Sequence, residues 1–170
     1  KLPDEGINAV AAWIMDGAKD MFGNPPALPD KAPVVEFFLA FKNDFSTQYT
    51  NNRLDGIPYN PVLLPNNTDV AILFALDDDN TEVADLLVNQ LKVSTDMDDF
   101  SGSTNYSAYL VQSPQGDFWV VNFNTSQYPT GVTQYMRYYV NDGEQATDTE
   151  FPRSDLSEFY KSYASFQVLP

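Results

Sequence analysis

Cysteine and histidine are both absent from this chain. Without cysteine it has no disulfide framework, thiolate nucleophile, zinc knuckle or haem attachment site of its own. Without histidine it lacks the usual general base, the commonest metal ligand and every Ser-His-Asp arrangement. Cations are scarce as well: 9 Lys and Arg stand against 24 Asp and Glu, a formal net charge of −15. Phosphate contacts need clustered cations, so nucleic acid is excluded as a partner, and adhesion to an anionic membrane surface is disfavoured. No apolar run reaches the length of about 18 residues that a membrane-spanning helix needs, so no transmembrane segment is predicted. No signal peptide is recognisable; the chain opens abruptly at Lys1, which reads as a fragment or processed product with its targeting segment upstream.

Aromatic residues are what the chain has in quantity. Twelve Phe, ten Tyr and two Trp accompany 43% apolar residues, enough for a packed core. A length of 170 residues suits one ordinary domain with an appendage.

The appendage comes first. Pro3 suits a first helical turn, and Asp4 and Glu5 sit where the helix dipole favours acids. Ile7, Val10, Ala11, Ile14 and Ala18 recur at helical spacing with Trp13 beside them, and Gly17 is placed to end the helix. The spacing therefore predicts a helix over 3–16. Four prolines between Pro25 and Pro33 then mark a stiff linker, residues 23–33.

From residue 34 the hydrophobic period changes. Runs at 34–41, 69–76, 89–95, 105–112, 117–124, 132–140 and 161–169 are short, β-branched and aromatic, and bounded by Asn, Asp, Gly, Pro and Ser. The runs flanking Ser113–Asp117 suit a hairpin with Gly116 in its turn. Period two places Gln134, Met136, Tyr138 and Val140 on one face, and Tyr135, Arg137 and Tyr139 on the other. Residues 81–91 fit a helical period as an alternative, through Val83, Leu86, Leu87 and Leu91. Such strands without alternating helices predict a mainly β domain: an immunoglobulin-like antiparallel β-sandwich over 34–170, preceded by one N-terminal α-helix.

The opening segment adds a resemblance. Asp4, Glu5, Ile7, Trp13, Ile14, Gly17, Ala18 and Lys19 are similar to the C-terminal helix of a bacterial envelope c-type cytochrome domain, with its Trp-Ile-x-x-Gly-Ala-Lys pattern. This resemblance implies that residues 1–22 are a residual cytochrome helix whose Trp13 and Ile14 pack near haem only in the intact parent. The family's Cys-x-x-Cys-His would lie upstream, so this chain holds no haem itself. The segments 135–144, 99–107 and 155–168 also resemble sandwich domains of Bacteroidetes-type lipoproteins. Together these imply an exported periplasmic or cell-surface electron-transfer protein, lipid-anchored through a missing N-terminus, with the sandwich as its interaction module. The partner would be the upstream cytochrome domain or another protein.

Three constellations bear on binding. Asp77, Asp78 and Asp79, with Asp96, Asp98 and Asp99, are candidate calcium ligands, because calcium takes six to eight oxygens and acidic strand-end loops supply them. They lack the spacing of the D-x-D-x-D-G loop, and Asp is also a common turn residue. Trp119, Tyr135 and Tyr139 are candidates for a carbohydrate-stacking or protein-docking surface, although period two must bury half of all strand aromatics. Paired carboxylates serve glycoside hydrolysis, but nothing singles out one pair among 24 acids, and the chain reads as non-enzymatic. A mimic of DNA would need acids spaced like phosphates along one face. A stand-alone extracellular module for sugar or protein is the rival to the cytochrome-associated reading.

The resemblance makes one sharp prediction. The natural protein carrying this domain should show covalently bound haem with a c-type absorption spectrum; a haem-free protein removes the basis of that reading.

Overall fold

The strands follow from where apolar residues are continuous and where they alternate. The computed structural model describes residues 31–49, 61–144 and 147–170. The helix predicted over 3–16, Trp13 and Ile14 within it, and linker residues 23–30 lie outside the described residues. The described elements are β1 (Val34–Lys42), β2 (Gln48–Tyr49), β3 (Val62–Leu64), β4 (Asp69–Asp77), β5 (Leu87–Ser94), β6 (Thr104–Ser107), β7 (Tyr109–Ser113), β8 (Gly116–Asn124), β9 (Thr133–Asn141), β10 (Thr149–Phe151), α1 (Glu158–Lys161) and β11 (Ser165–Val168).

Two sheets form a sandwich. The first runs β2-β1-β4-β8-β7; the second runs β3-β11-β9-β5-β6, with β10 also pairing β9. Lettering β1, β4, β8 and β7 as A, B, E and D, and β11, β9 and β5 as G, F and C, gives the immunoglobulin arrangement, with β6 in the C′ place. The sheets are not wholly antiparallel, because β3 pairs β11 in parallel. The predicted hairpin is present: β7 and β8 meet at Ser113 and Gly116, and Gly116 takes φ +132°, a conformation that favours glycine.

In antibody domains a disulfide joins strands B and F across the sandwich. Here those strands, β4 and β9, meet through aromatic rings. Phe74 stacks on Tyr138 with centroids 4.1 Å apart and an interplanar angle of 24°. Burying such rings contributes about 1.5–3 kcal/mol each, and the offset stack about 0.5–1.5 kcal/mol more. The Tyr138 hydroxyl, fully buried, donates to Asn89 Oδ1 at 2.8 Å, and Asn89 Nδ2 donates to the Leu86 carbonyl at 2.6 Å. A register irregularity between Leu87 and Gln90 accompanies this inward placement of Asn89. A second aromatic layer lies further along the core, where Tyr128 meets Phe123 and Phe166 edge-on at 5.5 and 5.1 Å.

Several expectations need correction. The run 105–112 is not one strand: it crosses from the second sheet (β6) to the first (β7) at Ala108, whose N–H donates to the Asn89 carbonyl. The helical alternative over 81–91 fails, because only Val83–Asp85 makes a 3₁₀ turn and Leu87 onward pairs with β9. The last run is shortened, since Lys161 ends α1 and the strand begins at Ser165. Strands β2, β3 and β10 were not anticipated. The two faces of β9 divide as expected, with Met136, Tyr138 and Val140 in the core, but Arg137 on the opposite face is also buried.

The first sheet is apolar on its outer face too. Phe37 lies opposite Ala75, Leu39 opposite Leu73 and Phe41 opposite Ala71, while Val35, Phe38 and Ala40 face the core. This explains the continuous apolar runs of β1 and β4, which a sheet with one solvated face would break.

Replacing Asn89 by Ala leaves the Tyr138 hydroxyl buried without its acceptor. Stability should fall by about 1–3 kcal/mol, read as a lower urea midpoint, whereas an unchanged midpoint contradicts the structural role given to this bond.

Candidate functional site

The last strand is interrupted. β10 pairs with the Tyr138–Val140 half of β9, and β11 with its Thr133–Tyr135 half. Residues 152–164 leave the sheet between them. Pro152 opens the excursion, where a missing N–H ends pairing. α1 follows, with Glu158 in its first turn and Lys161 in its last, as the helix dipole favours. Phe159, Tyr160 and Tyr163 pack edge-on, centroids 5.2–5.5 Å apart and ring planes 68–80° apart. Yet Phe159 and Tyr160 remain 52% and 51% exposed, and Leu156 beside them 37%. This is an apolar projection held by its own internal packing.

Its tether is the loop after β5. Lys161 Nζ pairs with Asp98. That loop in turn covers Arg137, which sits on the outer face of the second sheet. Arg137 Nη2 donates to the Met97 carbonyl at 3.0 Å, the Phe100 ring lies 4.4 Å from the guanidinium carbon, and Nη1 is 3.6 Å from Glu150 Oε2. The Arg137 side chain is only 8% exposed. Its burial beneath loop 95–101 fixes the loop, and the loop fixes α1.

The candidate calcium ligands do not converge. Asp77 ends β4 and Asp78 and Asp79 follow it, whereas Asp96, Asp98 and Asp99 follow β5, so the two groups lie at opposite ends of β5. Among the described residues no three acids gather as a metal-holding group. Most of the six have local work. Asp78 Oδ1 accepts from the backbone of Asn80 and Thr81; Asp96 Oδ1 from Asp98 and Asp99; Asp99 Oδ1 from Ser101. Asp98 pairs with Lys161, and Asp79 lies 3.8 Å from Lys31. These are turn acids, and the Ser101 hydroxyl and backbone hold the Asp99 carboxyl below its ordinary range.

The three surface aromatics do not form one platform. Trp119 turns inward against the core, and its Nε1 donates to the Val83 carbonyl at 2.8 Å, fastening the 3₁₀ turn after β4. Tyr135 and Tyr139 lie on the second sheet, where Lys92 Nζ sits 4.4 Å above the Tyr139 ring. Both are half-buried. The most exposed aromatics among the described residues, Phe159 and Tyr160, were missed as a pair. Their signal was the density of aromatics in "EFYKSYASF" without strand alternation.

Two further tyrosines meet where the sheets close. The hydroxyls of Tyr106 and Tyr128 are 2.6 Å apart. Burial pushes both above the ordinary value of 10.0; their shared hydrogen bond raises Tyr128 further and offsets part of the rise at Tyr106. Tyr138 is also raised, by burial alone.

Comparison with protein-family models, with curated proteins and with solved structures gives no match.

Raised tyrosines stabilise the fold below the unfolded value of 10.0 and lose that contribution as pH climbs past it, because only the unfolded chain ionises freely. The urea midpoint should therefore fall between about pH 10 and 11.5, and Tyr138→Phe should flatten that fall. An equal slope in the variant contradicts the assignment.

Proposed function

We propose that this domain is a non-enzymatic interaction module that docks on a protein partner through Leu156, Phe159 and Tyr160. The single observation that carries the reading is the half-exposed ring cluster on the excursion between β10 and β11. An apolar projection kept in water by a folded scaffold is the usual mark of a docking surface. Three rings standing edge to face make a plug that fits a recess, and they leave no flat platform on which a sugar ring stacks.

Charge narrows the partner. Both cations of the excursion are engaged, Arg153 with Asp155 and Lys161 with Asp98. Glu158, in the first turn of α1, is the acid of the excursion that takes part in neither ion pair. The complementary surface is an apolar recess bordered by Lys or Arg. A second copy of this chain, with a net charge of −15, is a poor match. The resemblance of residues 4–19 supports a setting beside an envelope cytochrome domain, with the sandwich as the positioning module of an electron-transfer protein.

Hydroxyl-radical footprinting tests the docking surface directly. Phe159 and Tyr160 should be oxidised readily in the purified 170-residue chain and several-fold less in the natural protein within its own cell envelope. Equal oxidation in both settings removes the docking role.

A further inference from the structure

The outer face of the first sheet carries a cleft that the docking role leaves unused. Phe37 on β1 lies directly opposite Ala75 on β4. On the other side of β4, Trp119 pairs with Phe74, so Phe118 on β8 comes next, beside Ala75. One row across three strands therefore runs ring, methyl, ring. Val35, Phe38 and Trp119 belong to the core or pack against it, whereas Phe37 and Phe118 do not. The row opens into a cleft of about 350 Å³, within the range of small-molecule sites.

The width between the rings is set by the sheet. Strands two apart stand on the order of 9–10 Å from each other. Ala75, between them, is the small residue that keeps that width open; a longer side chain would fill it. A group held over Ala75 lies on the order of 5 Å from each flanking strand, inside the range of about 6 Å over which an aromatic face attracts a cation. Val83 adds an apolar wall, and Trp119 Nε1 fixes it by donating to its carbonyl at 2.8 Å. A wall fixed in advance lowers the cost of binding.

Charge selects the occupant. The charged residues of the lining are Glu36 and Asp117, and neither forms an ion pair with a described Lys or Arg. Asp117 Oδ2 accepts one long bond, from Gln112 Nε2 at 3.4 Å. An anion therefore meets only like charge, while a cation meets two carboxylates. A primary ammonium would bring three N–H donors to an apolar floor of Phe37, Ala75 and Phe118 that offers them no side-chain acceptor. An alkylated ammonium carries its charge behind methyl groups, so it satisfies rings and carboxylates together. We infer that this cleft binds a quaternary ammonium group, held over Ala75 between Phe37 and Phe118, with Glu36 and Asp117 supplying the counter-charge. The inference does not rest on the docking role of Phe159 and Tyr160.

An amide chemical-shift titration by NMR on the 170-residue chain tests it, with choline as the probe. The amides of Phe37, Ala75 and Phe118 should shift together, with a Kd on the order of 1 mM. The neutral isostere of choline, with carbon in place of nitrogen, should bind about tenfold more weakly, and ethanolamine likewise. Phe118→Leu keeps an apolar side chain and should weaken choline binding about fivefold. Ala75→Leu fills the floor and should remove the shifts. Asp117→Asn should weaken binding and flatten its dependence on salt. Asp117 is half-exposed beside the hairpin turn, so that variant tests the site even if Ala75→Leu fails to fold. Three results overturn the inference: no shift at these amides, a neutral isostere or ethanolamine that binds as tightly as choline, or unchanged binding in Asp117→Asn. Phe159→Ser should bind choline as the parent does, so failure at one surface is distinguishable from failure at the other.

Discussion

The stacking of Phe74 on Tyr138 is the contact on which the rest of this fold depends. A two-sheet sandwich needs something that fixes which strands face each other, and a chain without cysteine has no covalent means of doing so. Rings from β4 and β9 meet where the fold's better-known members place a disulfide. The contact is specific because Tyr138 is tied at its far end. Its hydroxyl reaches Asn89, Asn89 reaches Leu86, and the Asn89 carbonyl takes the N–H of Ala108, where the chain changes sheet. One side chain thus connects the central stack to the switch of sheets between β6 and β7.

With the centre fixed, the edges are free to vary. The position of the last strand is shared between β10 and β11, and the residues between them form the aromatic plug. The same side of the second sheet carries Arg137, whose burial holds loop 95–101 in place. Ordered loops on a rigid sandwich are where binding residues concentrate in such folds. The plug depends on this one anchored loop, because Asp98 tethers it through Lys161.

Much of the fold was legible because its long strands are written in continuous apolar runs. "DVAILFAL" is buried on both faces, and "VVEFFLAF" is buried on one and half-buried along most of the other, so no strict alternation of apolar and polar residues was needed to find them. Strands of two or three residues, β2, β3 and β10, carry no period at all. The crossing at Ala108 was invisible because β character continues through it while the partner changes. Trp119 shares the parity of Val121 and Phe123, and that alone assigns it to the core rather than to a ligand surface. The acidic loops looked like ligand sets in sequence because Asp is favoured equally by calcium and by turns; Asp78, Asp96 and Asp99 each accept backbone bonds within their own turns.

A double-mutant cycle at Phe74 and Tyr138, each replaced by Leu and compared with the pair, tests the central claim most directly. Leu keeps apolar volume in both sheets while removing the ring stack. The account predicts that the double variant loses about 0.5–1.5 kcal/mol less than the sum of the single losses, with both single variants less stable than the parent chain. Single losses that add within about 0.3–0.5 kcal/mol would mean that the rings contribute only buried area, and that some other contact sets the pairing of the sheets.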